Sequence, residues 1–383
     1  WLMMKELLTI IKNDEQAMLA LLERLVNIDS NQDNLSGIDE CAHIVGDFLQ
    51  TLGFTVEYLT TPGAATHMLA KIAGTGLREV MVMGHLDTVF KKGTAAARPF
   101  YIEGDKAFGP GVMDMKGGVV AGLFAVKALL ATGYNGRMKV FFCGDEEPGH
   151  LETEAAALFM REGKNMDAVF NLEPGRPNGG VTIGRKGVIR PILTVEGVAA
   201  HSGNNPEQGI SAILELAHKT IAFEALTDFA TGTTYNVGIV NGGSEVNIIP
   251  DCAVAKVDIR FKTAEAAAQA VADVERIAAH NYVAGTHTTV SANEIQFMPM
   301  ETTVGVEKLF AHVQQQASKL GLPPVPGVYA GGCSDAAWTT YVGAPTVCSM
   351  GPIGEAAHSN REFLVVHTLV ERTQLLAACI KNL

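Results

Sequence analysis

Runs of consecutive apolar residues constrain the fold of this chain more than any other feature. The segments 80–83, 139–143 and 167–172 lack the polar–apolar alternation of a strand with one solvent face, so they predict strands buried on both faces. Helical patterns at 119–130 and 155–161 lie between them. Strands that alternate with helices are typical of α/β folds, so we predict a mixed, mostly parallel sheet with helices on both faces.

The pattern changes after residue 186. It predicts, in chain order, a strand at 188–196, a helix opened by Asn205-Pro206, strands at 233–240 and 251–261, a helix at 264–280 and a strand at 288–297. The order β-α-β-β-α-β is that of a ferredoxin-like α+β unit. We therefore predict a discontinuous α/β domain of residues 1–186 and 298–383, interrupted by a smaller ferredoxin-like domain of residues 187–297.

Charge and composition exclude several classes of protein. The chain has 29 Lys and Arg residues against 41 Asp and Glu, a net charge of −12, which argues against nucleic acid or an anionic membrane as partner. No apolar run approaches the roughly 18 residues needed to cross a bilayer. Six scattered cysteines without a C-x-x-C pair favour free thiols, so we expect a cytoplasmic protein. Export with later removal of a signal peptide is the alternative.

Ionisable side chains follow each of the three buried strands. His85 and Asp87 follow the first strand, Glu146 and Glu147 follow the second, and Glu173 follows the third. In open α/β sheets, ligands bind in the crevice outside the carboxyl ends of the strands. We therefore expect these side chains to converge on one rim of the sheet.

The converging carboxylates indicate a metal site. Carboxylates in a partly buried crevice must take up protons or surround a cation. With histidine among them and no cysteine in a ligand pattern, a mixed nitrogen–oxygen site for zinc or a similar divalent ion is favoured. For any single acid, facing solvent or capping a helix is the alternative, and Asp114 taken alone is best explained as a helix N-cap. The chain has no G-x-S-x-G nucleophile elbow, which argues against a serine hydrolase, and it also lacks the H-E-x-x-H motif of another class of zinc protease.

A set of motifs in a fixed order resembles a known family. The motifs are H-L-D-T, G-x-x-D-M-K-G-G, D-E-E-x-G, L-E-P, A-A-H-S-G, N-I-I-P-D followed by D-I-R-F, G-G-x-S-D-A and a late A-H-S. Together they resemble the dinuclear-zinc family of aminoacylases, acetylornithine and succinyl-diaminopimelate deacylases, and glutamate carboxypeptidases. The A-H-S-G and N-I-I-P-D blocks are most similar to the glutamate carboxypeptidase (carboxypeptidase G) branch.

The resemblance implies two zinc ions bridged by one carboxylate. Asp114 would be the bridge, His85 and Glu173 would complete one site, and Glu147 and His358 would complete the other. Cobalt or manganese would also suit such a set of ligands.

Two further residues near the metals are implied to act in the reaction. Asp87 would orient His85 and determine its tautomer. Glu146 would be the general base, taking a proton from the attacking water and delivering it to the leaving amine.

The resemblance also implies that the inserted domain is a lid and dimerisation domain. His201 would reach the partner subunit's site and stabilise the tetrahedral oxyanion. Arg260 would bind the substrate carboxylate through its guanidinium group, with Lys186 as a second candidate for the same anion site. Asn247 and the backbone around Gly332 would help to orient the substrate. A surface histidine, a strand-edge arginine and a turn asparagine are the alternatives.

These expectations combine into one hypothesis, with two alternatives. The leading hypothesis is a metal-dependent amidase or exopeptidase, acting as a homodimer, that cleaves a small peptide or an N-acyl amino acid next to a free carboxylate, in the manner of a glutamate carboxypeptidase. An aminoacylase or a deacylase of acetylornithine or succinyl-diaminopimelate is the nearest alternative. A catalytically silent metal- or ligand-binding homologue is the other, and the intact Asp145-Glu146-Glu147 run argues against it.

Overall fold

The structure is a computed structural model that describes residues 2–150 and 152–383. The chain divides into two compact units. Unit 1 contains the described residues up to Gly184, together with Thr302–Tyr329 and Ser334–Leu383, and unit 2 contains Arg185–Glu301 and Ala330–Cys333.

The secondary-structure elements follow one another along three stretches of the chain. The first stretch contains α1 (Leu2–Asn13), α2 (Glu15–Val26), α3 (Leu35–Thr51), β1 (Thr55–Leu59), β2 (His67–Ile72), β3 (Glu79–His85), α4 (Thr94–Ala97), β4 (Tyr101–Glu103), β5 (Lys106–Phe108), α5 (Gly117–Ala131), β6 (Arg137–Cys143), α6 (Ala155–Gly163), β7 (Ala168–Asn171) and β8 (Val181–Arg185). The second contains β9 (Gly187–Ile189), β10 (Ile192–Glu196), β11 (Ala200–His201), α7 (Ala212–Glu224), β12 (Thr234–Gly242), β13 (Ile248–Ile249), β14 (Cys252–Phe261), α8 (Ala264–Ala279) and β15 (His287–Ser291). The third contains α9 (Val304–Lys319), β16 (Gly327–Ala330), α10 (Ala336–Tyr341), β17 (Thr346–Val347), β18 (Gly354–Glu355), β19 (Phe363–Val365) and α11 (Val366–Lys381).

The central sheet of unit 1 has the strand order β1-β2-β6-β3-β7-β17. Strand β3 pairs in parallel with β6 and β7, and β7 pairs in parallel with β17, whereas β1 and β2 add antiparallel pairs at one edge. The apolar run 80–83 lies in β3 and is fully buried, as expected for a strand between two neighbours and two covered faces. The prediction of an α/β fold with a mixed, mostly parallel sheet is confirmed.

Helix α5 packs unusually close to the end of strand β7. A Cβ atom on Gly118 would lie 2.0 Å from the carbonyl oxygen of Leu172, and one on Gly122 would lie 2.5 Å from the Leu172 side chain. At Gly118 the contact is with the backbone, so only glycine permits this approach there. Because Asp114 lies just before α5 and Glu173 follows Leu172, the two glycines bring the start of α5 to the rim that carries Glu173.

Unit 2 contains an antiparallel sheet in the order β12-β14-β10-β15. Its long strands and helices follow the chain order β10, α7, β12, β14, α8, β15, which is the ferredoxin-like arrangement that the sequence predicts. Alternate residues of β14 are buried, and Val257, Ile259 and Phe261 pack in a separate apolar core against α8.

Three local predictions in unit 2 differ from the structure. The segment 188–196 forms two strands, β9 and β10, because Pro191 between them has no N–H to donate to a neighbouring strand. Asn205-Pro206 opens only a short 3₁₀ turn, Pro206–Gln208, and the long helix α7 begins at Ala212, where the hydroxyl of Ser211 accepts a hydrogen bond from the Leu214 N–H. The last strand, β15, ends at Ser291 rather than at residue 297.

Two predictions from the sequence, on membrane crossing and on the state of the cysteines, can be compared with the structure. Within residues 2–150 and 152–383, no helix combines the length and the apolar character that crossing a membrane requires. In the same residues the six cysteines are all free thiols.

Candidate active site

The carboxyl ends of β3, β6 and β7 bring the predicted strand-end residues together in unit 1. His85 is the last residue of β3, and its Nε2 atom lies 3.4 Å from Oδ1 of Asp114 and 3.7 Å from Oε1 of Glu173. Glu147, which follows β6, has its Oε1 atom 3.3 Å from Nε2 of His358. The rim therefore collects two imidazoles and three carboxylates from five separate segments.

Asp114 stands between two groups of potential metal ligands. Its Oδ1 atom faces His85, and its Oδ2 atom lies 3.1 Å from Nε2 of His358. His85, Asp114 and Glu173 form one group with ligand atoms within 4.8 Å of one another, and Asp114, Glu147 and His358 form a second. A single carboxylate shared by two such groups is the arrangement that two neighbouring cations require.

The electrostatics of the rim fit a pair of divalent cations. Burial raises the pKa of Glu146 well above its usual value, and the carboxylates of Glu173 and Asp335 raise it further. Burial also raises the pKa of Glu147, and its contact with His358 opposes that increase. The hydrogen bond to Asp114 and the contact with Glu147 raise the pKa of His358 to about 11. Carboxylates and imidazoles held this close exchange their protons for a metal ion readily.

Asp87 has two roles at the rim, of which the sequence indicates one. The Nδ1 atom of His85 lies 3.0 Å from the backbone oxygen of Asp87 and 3.4 Å from its carboxylate, so Asp87 orients the imidazole. The same carboxylate accepts hydrogen bonds from the backbone N–H groups of Glu146 and Glu147, at 3.1 and 3.0 Å. It therefore also holds the turn that carries both glutamates.

Sequence reasoning missed Glu362, which supports Asp114. Its buried carboxylate accepts hydrogen bonds from the backbone N–H groups of Gly111, Met113 and Asp114, at 3.1, 2.9 and 3.0 Å. The only signal in the sequence is its position four residues after His358. Through this contact, one loop near the C-terminus both offers His358 and positions the proposed bridging carboxylate.

Lys116 is a second supporting residue that the sequence did not indicate. Its buried ammonium group donates hydrogen bonds to the carbonyl oxygen of Leu25, in the last turn of α2, at 2.8 Å, and to that of Ile28, just beyond the helix, at 2.7 Å. It thereby satisfies carbonyl groups near a helix C-terminus and ties the Asp114 loop to α2.

His201 and Asn247 lie together in unit 2. His201 is exposed in β11, which pairs with β13, and the Ser202 N–H donates to the backbone oxygen of Asn247 at 3.0 Å. The Nδ1 atom of His201 accepts hydrogen bonds from the N–H groups of Gly203 and Asn204, both at 3.1 Å. The neutral ring therefore carries its hydrogen on Nε2, where it can serve as a donor.

The other predicted substrate-binding residues form a second cluster in unit 2. Arg260, in β14, donates hydrogen bonds to Asp258 at 2.7 and 3.0 Å. Burial and then the charges of Lys262 and Arg260 lower the pKa of Lys186, which places the three cations near one another. The backbone oxygen of Gly332 accepts a hydrogen bond of 3.2 Å from the guanidinium of Arg185. The cluster thus combines the cations of Lys186, Arg260 and Lys262 with the carboxylate of Asp258.

An α/β domain whose strand ends carry two ligand groups joined by one carboxylate is an arrangement suited to a metal-dependent hydrolase. Residues 81–382 match the model of the peptidase family M20/M25/M40, so the chain belongs to that family and the resemblance found in the motifs is confirmed. Members of this family are metallopeptidases.

Individual relatives agree with this assignment. The chain is 30% identical over 380 residues to carboxypeptidase G2 of Pseudomonas sp. (strain RS-16), covering 97% of this chain and 90% of the relative. It is 26% identical over 357 residues to succinyl-diaminopimelate desuccinylase of Gluconobacter oxydans (strain 621H), covering 88% and 91%. Its fold is similar to that of aminopeptidase PepT from Bacillus cereus, with a TM-score of 0.78 at 22% identity and coverage of 96% and 98%. The metallo-carboxypeptidase Sso-CP2 from Sulfolobus solfataricus has a TM-score of 0.72 at 18% identity, with coverage of 95% and 98%.

Proposed function

We propose that this protein is a dinuclear metallohydrolase, with zinc as the metal, that cleaves a peptide or N-acyl amide bond next to a free carboxylate, in the manner of a glutamate carboxypeptidase. The observation that carries the proposal is the position of Asp114 between two ligand groups, with Glu146 beside them but in neither group. The similarity to carboxypeptidase G2 along 97% of the chain supports the carboxypeptidase assignment.

Each residue of the rim has a chemical role in this reaction. His85, Asp114, Glu147, Glu173 and His358 would hold the two ions, which when bound supply Lewis acidity and lower the pKa of water in the site. Glu146 takes a proton from the attacking water and delivers it to the leaving amine nitrogen. Asp87 binds its backbone N–H, which holds Glu146 beside the two ligand groups.

The substrate carboxylate is bound by the positive cluster of unit 2. Two of the guanidinium nitrogens of Arg260 donate to Asp258, so the substrate carboxylate would be bound by its remaining N–H donors together with the charge of Lys186. Asn247 and the backbone of Gly332 orient the substrate. His201, whose Nε2 carries the hydrogen in the neutral ring, would reach the partner subunit's site and donate there to the oxyanion that develops on the scissile carbonyl.

A deacylase is the second candidate, because the desuccinylase of Gluconobacter oxydans aligns with 88% of this chain. It would use the same rim on an N-succinyl or N-acetyl group. The two candidates differ in which side of the amide bond is recognised, and specificity of this kind depends on pocket shape.

Metal removal and a substrate panel test the function together. We expect the zinc-loaded protein to release amino acids from glutamate-ending dipeptides and N-acyl glutamates faster than from acetylornithine, succinyl-diaminopimelate or acetyl-methionine. Chelation should lower the rate at least about 1,000-fold, since the metal supplies the Lewis acid, and added zinc should restore it. Cobalt and manganese serve as parallel additions.

Equal rates in chelated and zinc-loaded protein would contradict the metallohydrolase proposal. A preference for succinyl-diaminopimelate would favour the deacylase. No release from any substrate by protein with two bound metals would favour the silent homologue.

We further propose that two copies associate through unit 2. Strand β12 is an edge strand of its sheet, paired only with β14 among the described residues, and its Ile239 and Val240 side chains are about half exposed. Helix α7 exposes Leu214 and Ile221. An open strand edge with apolar side chains is suited to antiparallel pairing with its own copy about a two-fold axis.

Sedimentation velocity tests this association. The variant Ile221→Glu/Ile239→Glu should weaken the dimer at least about tenfold, because it would bury two carboxylates in an apolar interface. Ile102→Glu, at a similarly exposed position of β4 in unit 1, is the control and should remain dimeric. A wild-type protein that sediments as a monomer at micromolar concentration would contradict the proposal.

A further inference from the structure

The turn that carries Glu146 and Glu147 is closed by its own backbone. It runs from Asp145 to His150, directly after β6. The Gly149 N–H donates to the Glu146 carbonyl at 2.8 Å, and the His150 N–H donates to the Asp145 carbonyl at 3.0 Å. Its first and last residues therefore meet, and whatever holds them also holds the two glutamates between them.

The side chain of His150 lies between two carboxylates. Its Nδ1 atom is 2.8 Å from Oδ1 of Asp145, and its Nε2 atom is 2.6 Å from Oδ1 of Asp335. All three side chains are buried. Each ring nitrogen of His150 therefore faces a carboxylate oxygen, and an imidazolium can donate to both. Burial lowers the pKa of His150, but the two aspartates outweigh it and hold that pKa well above its usual value.

Asp335 connects this ring to the rest of unit 1. It occupies the N-cap position of α10, and its Oδ2 atom accepts a hydrogen bond of 3.2 Å from the thiol of Cys143, the last residue of β6. Asp145 in turn accepts a hydrogen bond of 2.6 Å from Thr153. The imidazolium thus joins the end of β6, the turn and the start of α10.

The turn is therefore held on two sides. Asp87 binds the N–H groups of Glu146 and Glu147, and His150 binds the ends of the turn to Asp335. Asp87 contacts only the backbone of Glu146 and Glu147, whereas His150 joins both ends of the turn to α10. A displacement of about 1 Å in a catalytic group is enough to cost about 100-fold in rate, so the second attachment matters for the base.

A third metal site is the competing explanation for this cluster. The ligand atoms of Cys143, His150 and Asp335 lie within 4.8 Å of one another. However, both ring nitrogens of His150 already contact carboxylate oxygens. Burial also raises the pKa of the Cys143 thiol well above its usual value, which disfavours the thiolate that a metal would bind. Hydrogen bonding accounts for the cluster without a metal.

We propose that His150 is a positioning residue for the reaction: bracketed by Asp145 and Asp335, it holds the turn that presents the base Glu146 and the metal ligand Glu147. The proposal rests on the proposed function for the role of Glu146. It concerns a residue that touches neither substrate nor metal.

The test compares His150→Gln and Asp335→Asn with wild type in the metal-loaded protein. His150→Gln removes the positive charge and at least one of the two contacts, and Asp335→Asn preserves the shape of the partner. Each variant should lower kcat about 10- to 100-fold with KM changed less than about threefold. The affinity for Co²⁺, titrated into the metal-free protein by its visible spectrum, should fall about tenfold because Glu147 is displaced. The double variant should be little worse than either single variant.

His312→Gln is the matched control. His312 is a half-buried histidine of α9 whose Nε2 lies 2.9 Å from the carbonyl oxygen of Cys379, so this variant loses a histidine contact away from the rim. If its thermal stability equals that of wild type, His312→Gln should also have the wild-type kcat and the wild-type Co²⁺ affinity.

Three results would overturn the positioning role. They are unchanged kcat and Co²⁺ affinity in folded His150→Gln, activity losses that merely follow the unfolded fraction, and a third bound metal that His150→Gln removes. If wild type hydrolyses no substrate, the proposed function fails. The Co²⁺ affinities of the variants then still decide whether His150 holds the Glu147 turn.

Discussion

Glu146→Gln should lower kcat by about 1,000- to 10,000-fold while two metal ions stay bound. The carboxamide has the same shape as the carboxylate but cannot accept a proton from water, and loss of a general base costs up to about 10,000-fold. Metal binding should persist because Glu146 belongs to neither ligand group. Its backbone N–H contact with Asp87 is also unaffected by the substitution. Steady-state kinetics and metal analysis on the same preparation measure both effects.

Glu152→Gln is the control for this substitution, since Glu152 is an exposed acid shortly after the same turn. It should retain wild-type kcat. Glu146→Gln protein that binds two metals and keeps more than a tenth of the wild-type rate would show that another group is the base.

Asp114→Asn should abolish activity by weakening both metal sites at once. Asp114 faces His85 with one carboxylate oxygen and His358 with the other. The amide of asparagine replaces these two anionic oxygens with one neutral acceptor oxygen and one donor nitrogen. We expect the affinity for each of the two ions to fall at least about 100-fold. That is the upper end of the loss in metal affinity on removing a residue that only positions a ligand. Equilibrium dialysis against zinc, followed by metal analysis, measures the loss.

The control for Asp114→Asn is Asp105→Asn. Asp105 is an exposed carboxylate that pairs with His367 at the surface, so its loss should leave two ions bound and full activity. Loss of only one of the two ions in Asp114→Asn would contradict a shared ligand and assign Asp114 to a single site.

Much of the architecture could be predicted because it depends on local patterns. The run around Val82 is apolar on both faces, which only a central strand tolerates, and Gly53 adopts φ +92° just beyond α3, as a C-terminal glycine does. His85 and Glu173 could be placed on one rim because parallel strands end at the same edge of the sheet. In unit 2, helix α7 starts later than predicted because Ser211 provides a better side-chain cap than the Asn205-Pro206 turn.

The supporting residues could not be predicted because their partners are distant in the chain. Glu362 binds the N–H of Asp114 across 248 residues, and Asp335 meets His150 across 185. A buried acid that binds a distant backbone N–H produces no hydrophobic periodicity and no motif spacing by which the sequence could reveal it. The sequence predicts that Asp87 lies beside His85, whereas its contacts with the Glu146 turn depend on how β3 and β6 pair.

The sequence by itself determined the fold class, the two kinds of sheet and the set of ionisable residues at the strand ends. The reason is that hydrophobic periodicity and the order of the strands along the chain depend on neighbouring residues. Only the tertiary structure decided how those residues are held. Asp114 faces two ligand groups because Gly118 lets α5 approach Leu172 and because Glu362 holds the preceding loop. The Glu146 turn is oriented by Asp87 on one side and His150 on the other. Such contacts join segments far apart in the chain, and their geometry follows from packing rather than from any neighbouring residue.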